Sequence, residues 1–184
     1  LGVFLFIRVL TAGEDRRSRE PKKSYSKYLV WWSMSALWVI LTTANALTLI
    51  INNKKMENDF IFYFGVIVWV IGIVFEIVAD EQKRIFRLEK NNESKFISSG
   101  LWSISRHPNY FGEIVLWIGI SIISVSSLSG FQYVTLISPL FITLLLTKIS
   151  GVNLLEDHAD KKWGSLPEYI KYKKETSVLV PFIK

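Results

Sequence analysis

Residues 28–51 run for 24 positions without a formal charge. At 1.5 Å per residue, a helix of that length reaches about 36 Å, enough to cross a bilayer with some tilt. Inside lipid every backbone polar group must find its partner within the protein, so the run commits this part of the chain to a transmembrane helix. Tyr28, Trp31 and Trp32 stand at its start, where an aromatic interface belt would place them. Three further apolar runs follow the same rule: 60–79, broken only by Glu76, then 110–126 and 131–149. The short linker Ser127–Gly130 predicts that the last two form an antiparallel pair. The opening L-G-V-F-L-F-I-R lacks the basic start and cleavage site of a signal peptide and reads as the end of a helix that begins elsewhere.

Half of the residues are apolar and 21% are charged. That balance excludes an ordinary soluble domain and equally a chain lying wholly in lipid. The absence of cysteine excludes disulfides, thiolate metal sites and cysteine nucleophiles. The two histidines, His107 and His158, fit no common zinc spacing, so no metal is expected. The net charge of +6 reports topology before nucleic-acid binding, and no nucleic-acid partner is expected. Loop 11–27, segment 80–109 and the tail 150–184 carry six Lys/Arg each, 18 of the 22 in the chain, whereas the opposite side has only Lys54 and Lys55. Four full spans require that alternation, and the positive-inside rule then places the basic segments in the cytoplasm. The expected fold is an all-α, polytopic transmembrane helical bundle with a cytoplasm-facing cofactor cavity roofed by the C-terminal tail. Residues 1–59 would hold a helix end, a basic loop and the first full span, and 60–184 the catalytic core, within one domain. A charged amphipathic helix is expected from Asp80 to Lys90, ended by Asn91-Asn92.

The dense polar features lie on that one side. Arg106 and His107 precede Pro108, which pre-sets a helix start that Asn109 or its neighbours can cap. A helix N-terminus beside Arg and His is suited to an anion. The competing reading makes both residues interface anchors, snorkelling to headgroups. Glu113 favours a site, because an unpaired carboxylate one turn inside an apolar span is costly. Asn109 and Glu113 are i and i+4, so they share a helix face. Glu76 and Asp80 repeat that spacing at the end of the second span, with Arg84 and Arg87 on or near the same face. They form either a solvated, salt-bridged helix or the second half of a polar site. In the latter case, basic groups would hold phosphates and carboxylates would take ribose hydroxyls. No G-x-G-x-x-G or Walker sequence is present to support a soluble nucleotide fold.

The run G-L-W-S-I-S-R-H-P-N-Y-F-G-E-I-V-L-W-I-G resembles the signature of the steroid 5-alpha-reductase C-terminal superfamily, particularly bacterial members of unassigned substrate. The likeness continues in A-D-E-Q-K-R-I-F-R, S-G-V-N-L-L-E and Y-I-K-Y-K-K-E-T-S-V-L-V-P-F, covering about residues 60–184. One branch of this superfamily reduces conjugated C=C bonds with NADPH. The other, the isoprenylcysteine carboxyl and phospholipid methyltransferases, binds S-adenosylmethionine. N-Y-F-G-E is similar to the reductase pattern, which implies a membrane-embedded NADPH-dependent reductase of a lipophilic enone. The resemblance then implies that Asn109 holds the nicotinamide amide and Glu113 lines the reacting end, the two forming the catalytic pair. It places Glu76, Asp80, Arg84, Arg87, Lys95, Arg106, His107, Tyr110, His158 and Tyr172 with Asn109 at the cofactor. Arg87, Lys95 and Arg106 would hold phosphates and Asp80 a ribose. Glu113 could polarise the substrate carbonyl if protonated, or act through a Tyr. Lys95 stands where these enzymes often have Arg, and Glu76 where an Asn can occur.

Glu156-Asp157 resembles an acidic pair of the methyltransferase branch and supports S-adenosylmethionine as the alternative cofactor. A membrane scaffold without enzymatic activity is a third reading. The implied partners are a lipophilic small molecule and the bilayer, in a bacterial inner membrane or, in a eukaryote, the endoplasmic reticulum.

Overall fold

The computed structural model describes residues 10, 21–52, 60–149 and 151–183. The opening apolar stub, most of the basic loop 11–27 and the turn at 53–59 lie outside the described residues. The chain forms helices α1 (Tyr25–Asn52), α2 (Phe60–Leu88), α3 (Pro108–Val125), α4 (Ser138–Leu144), α5 (Val152–Trp163) and α6 (Pro167–Glu175). Among the described residues there is no β-strand, only an isolated bridge between Ser105 and Ser177. Four helical stretches are long and apolar enough to cross a membrane: Tyr25–Asn52, Phe60–Leu88, Pro108–Val125 and Gly130–Trp163. The protein is thus an all-α, polytopic membrane bundle. It divides into two compact units, residues 1–41 and 42–184. In the first, Tyr28 stacks on Trp31 with ring centroids 6.1 Å apart, and Trp32 is exposed, as an interface aromatic would be.

The second unit is organised by α2 and α3, which make the most extensive contact between elements. Lipid offers helices no hydrophobic drive to associate, so close van der Waals packing through small residues must supply it. A Cβ on Gly72 would overlap the backbone of Leu116, and one on Gly112 would overlap the backbone of Glu76. Two turns away, Gly65 meets Ile123 and Gly119 meets Trp69. The pairing of 65 with 119–123 and of 72 with 112–116 makes the helices antiparallel.

Polar side chains tie the C-terminal part of α1 to α3 and to the helical stretch that follows it. Asn45, fully buried, donates through Nδ2 to Ser121 Oγ at 2.6 Å. One heptad on, Asn52 and Gln132 exchange amide hydrogen bonds at 3.0 and 2.8 Å. Such bonds hold register where an unsatisfied amide would face hydrocarbon.

Two elements differ from the sequence expectation. The amphipathic stretch after residue 79 is not separate but continues the second span as one 29-residue helix to Leu88. Nothing between Ala79 and Leu88 breaks a helix, and the end comes where Asn92 Nδ2 bonds to Phe86 O at 3.1 Å. The fourth span is helical throughout 130–149 but changes type, from 3-10 over Gly130–Ile137 through α4 to a π turn over Leu145–Ile149. Pro139 supplies no N–H within this span, so the i→i−4 ladder is interrupted there.

Candidate functional site

The site is built around the turn that starts α3. Pro108 occupies the first helical turn, as its fixed φ favours. His107 stands at the N-cap with no side-chain capping bond, and Asn109 does not cap the helix either. The C-terminal strap holds this turn instead. Arg106 N donates to Ser177 O at 2.8 Å, Ser177 Oγ to Ile104 O at 3.0 Å, and Ser105 Oγ to Leu179 O at 2.8 Å. Trp102, only 4% exposed, is fixed at both ends: its Nε1 donates to Ala79 O at 3.0 Å, and its carbonyl accepts from Tyr172 Oη at 2.6 Å. Burial raises the Tyr172 hydroxyl above the usual tyrosine range, keeping it a neutral donor.

The anion position expected beside Arg106 and His107 is occupied by a carboxylate of the chain itself. Glu156, on α5, accepts from Arg106 Nη1 at 2.5 Å and lies 2.9 Å from His107 Nε2. Lys173 reaches the same carboxylate at 3.6 Å and Asp160 at 2.6 Å. The Arg106 side chain is 9% exposed, and its Nε–H has no partner among the described residues. Buried donors are rarely left so.

Arg106, His107 and Glu156 border a cavity of about 380 Å³. Of the residues expected at a cofactor, Arg87, Lys95, Arg106, His107, His158 and Tyr172 line it. Its roof is aromatic: Phe96 packs on Tyr169 and Tyr172 at centroid distances of 5.2 and 5.3 Å and on Trp163 at 6.0 Å. Two bonds clasp α5 to the loop below it, Trp163 Nε1 to Ser94 O at 2.6 Å and Lys162 Nζ to Glu93 O at 3.2 Å.

Glu76, Asp80, Asn109, Tyr110 and Glu113 gather in a notch between α2 and α3. The contact of Gly112 with Glu76 sets Glu76 opposite Glu113, and the antiparallel register brings Asp80 alongside Asn109. The two i,i+4 pairs therefore face each other across the antiparallel helices. Tyr110 lies within electrostatic reach of Glu113 and Asp80. It also stacks on His107 with centroids 5.7 Å apart, joining notch to cavity. Arg84 belongs to neither group: it is exposed and paired with Glu81 at 2.6 Å.

Sequence reasoning did not single out Lys83, Phe96, Trp102 or Trp163, all of which line the cavity. Trp102 and Lys83 lie inside the motif segments, yet only the fold shows that they share a wall. The place of Glu156 on Arg106 and His107 has no local signal, since 50 residues separate it from Arg106.

Comparison with known proteins gives partial matches. The chain is similar to 3-oxo-5-alpha-steroid 4-dehydrogenase 1 of Mus musculus, at 28% identity over 122 residues, 66% of the chain and 42% of that protein. A very-long-chain enoyl-CoA reductase of Dictyostelium discoideum is 37% identical over 34% of the chain and 21% of its own length. A probable O-methyltransferase of Ustilaginoidea virens is 30% identical over 36% of the chain and 23% of its own length. The chain thus spans less than half the length of each of these relatives. No solved structure matches. A family model, described as "Protein of unknown function (DUF1295)", matches residues 1–176. With that match over nearly the whole chain, and with relatives that include a steroid 5-alpha-reductase, the protein belongs to the DUF1295 family of steroid 5-alpha-reductase-like membrane proteins.

Proposed function

We propose that the protein is a membrane-embedded oxidoreductase that binds NADPH in the cavity and reduces a C=C bond conjugated to a carbonyl in a lipophilic substrate. The charge of the cavity carries this reading. Lys83, Arg87 and Lys95 line it without an ion pair among the described residues, and the buried Arg106 Nε–H is unpartnered. That donor set suits the phosphates of a dinucleotide. The resemblance to a steroid dehydrogenase and an enoyl-CoA reductase supports the same class of reaction.

When bound, NADPH would supply a hydride to the β-carbon of the enone. Arg87, Lys95 and Arg106 would hold its phosphates, with His107, His158 and Tyr172 on the cavity wall. Asp80 would take a ribose hydroxyl, and Asn109 would present its amide to the nicotinamide. Glu113, with Tyr110 beside it, would donate a hydrogen bond or proton to the carbonyl oxygen, where negative charge develops. Glu76 stands opposite Glu113 and would fix its orientation. The span walls on either side of the notch would admit an apolar substrate from the bilayer.

One observation favours S-adenosylmethionine-dependent methyl transfer as a second reading. Glu156 already neutralises Arg106 in the cavity, and that cofactor carries no phosphate. The match to a probable O-methyltransferase points the same way. Isotope transfer separates the two. Protein in liposomes, given NADPH deuterated at the nicotinamide C4 and a panel of lipophilic enones, is expected to place deuterium at a β-carbon. Labelled methyl transfer from S-adenosylmethionine, with no deuterium transfer to any enone, would contradict the reductase reading.

A further inference from the structure

We propose that Lys83 is a phosphate-binding residue that forms, with Arg87, a two-cation grip on one phosphate of the ligand. The proposal rests on reading the cavity as a nucleotide site. Lys83 and Arg87 are i and i+4 on α2, and both line the cavity. Two like charges at that spacing repel and destabilise a helix unless an anion lies between them. Neither makes an ion pair with a carboxylate among the described residues. The adjacent cation, Arg84, is committed to Glu81 on the exposed face. Position 83, not 84, is therefore the one α2 offers to the cavity.

The lysine is also held in place. Its Nζ lies 4.7 Å from the centroid of the Trp102 ring. That ring is buried and tied to Ala79 O, and the backbone of Trp102 is tied to Tyr172. A cation over a ring face keeps its N–H donors free, because the attraction is to the quadrupole and not to a lone pair. Lys83 is half-buried whereas Arg87 and Lys95 are exposed. A partly desolvated ammonium with unspent donors binds an anion more strongly than a fully hydrated one. A phosphate, with several acceptor oxygens, can take bonds from Lys83 and Arg87 together.

The test is equilibrium binding to the detergent-purified chain, with NADPH, NADH, adenosine 2′,5′-bisphosphate and inorganic pyrophosphate as probes. Lys83→Met is expected to weaken NADPH binding about tenfold, the loss of one charge-assisted hydrogen bond. Lys83→Arg should restore most of it, and the wild-type affinity should fall with salt more steeply than that of Lys83→Met. A loss confined to NADPH and the bisphosphate supports the grip and assigns it to the 2′-phosphate. An equal loss for NADH and pyrophosphate supports it and assigns it to the pyrophosphate. Lys83→Met that binds every probe as wild type does would overturn the proposal. So would a loss that Lys83→Arg leaves unrepaired while the ligand-free melting temperature drops, since that marks a packing role. If the wild type binds S-adenosylmethionine but no nicotinamide nucleotide, the reductase reading fails. The grip then stands only if Lys83→Met still weakens pyrophosphate binding, and falls if it does not.

Discussion

Glu76, Asp80, Asn109 and Glu113 meet because two helices are locked in one register by Gly65, Gly72, Gly112 and Gly119. Arg106, His107 and Glu156 meet because α5, 50 residues downstream, folds back over the start of α3. The notch is thus fixed by backbone packing within the spans. The cavity is closed by ion pairs, a few hydrogen bonds and an aromatic roof at the edge of the bundle. The two regions should therefore respond differently to substitution. Damage to the helix pair should remove both, and damage to the tail should open the cavity while leaving the notch assembled.

Gly72→Leu should have the largest effect. The new side chain would meet the Leu116 backbone, which cannot yield without separating the helices. Overpacking of this kind costs about 1–3 kcal/mol even where side chains can move, and more is expected here. The prediction is loss of a monodisperse, helical protein in detergent, read by size exclusion and circular dichroism. A Gly72→Leu protein that folds and binds ligand normally would contradict the packing argument.

Glu156→Ala should come next. It leaves a largely buried Arg106 guanidinium without its partner, a change that costs about 3 kcal/mol in enclosed sites. Glu156 is itself 17% exposed, so water repairs part of the loss. The melting temperature should fall while helical content and the α2–α3 pairing persist. Cross-linking between positions 76 and 113 would report that pairing. Loss of the cross-link together with the cavity would show that the regions are not separable.

Asn109→Ala should weaken NADPH binding about tenfold with little change in melting temperature, since it removes the proposed amide contact to the nicotinamide. Unchanged affinity would remove Asn109 from the site. Tyr172→Phe should be the mildest, costing about 1 kcal/mol for one hydrogen bond to Trp102 O. Its pH dependence carries a sign. Burial raises the Tyr172 hydroxyl in the folded state above the unfolded value of about 10. The stability it contributes is then fully present below about pH 10 and lost as pH rises further. The wild type should lose stability above that pH more steeply than Tyr172→Phe.

The same contrast explains what could be read from the sequence. The spans follow from charge-free runs, and the notch from Asn109–Glu113 and Glu76–Asp80, because i,i+4 spacing puts residues on one face whatever the rest of the chain does. Pro108 marked the helix start correctly for the same local reason. The partners of Arg106 and His107 were not legible, since no period relates Glu156 to them. Lys83 and Trp102 were hidden among other motif residues until the wall they share was formed. The bond between Asn45 and Ser121 joins positions 76 apart, and a lone Asn within an apolar run does not say which helix it will meet. The helix type of the fourth span depended on how the chain absorbed Pro139, which sequence alone leaves open.

Parallel equilibrium titrations of the wild-type protein in detergent with NADPH, NADH and S-adenosylmethionine address the nature of the cavity most directly. If unpaired cations make it a phosphate site, NADPH should bind, with an affinity that falls as salt is added. Preferential binding of S-adenosylmethionine, insensitive to salt, would contradict it.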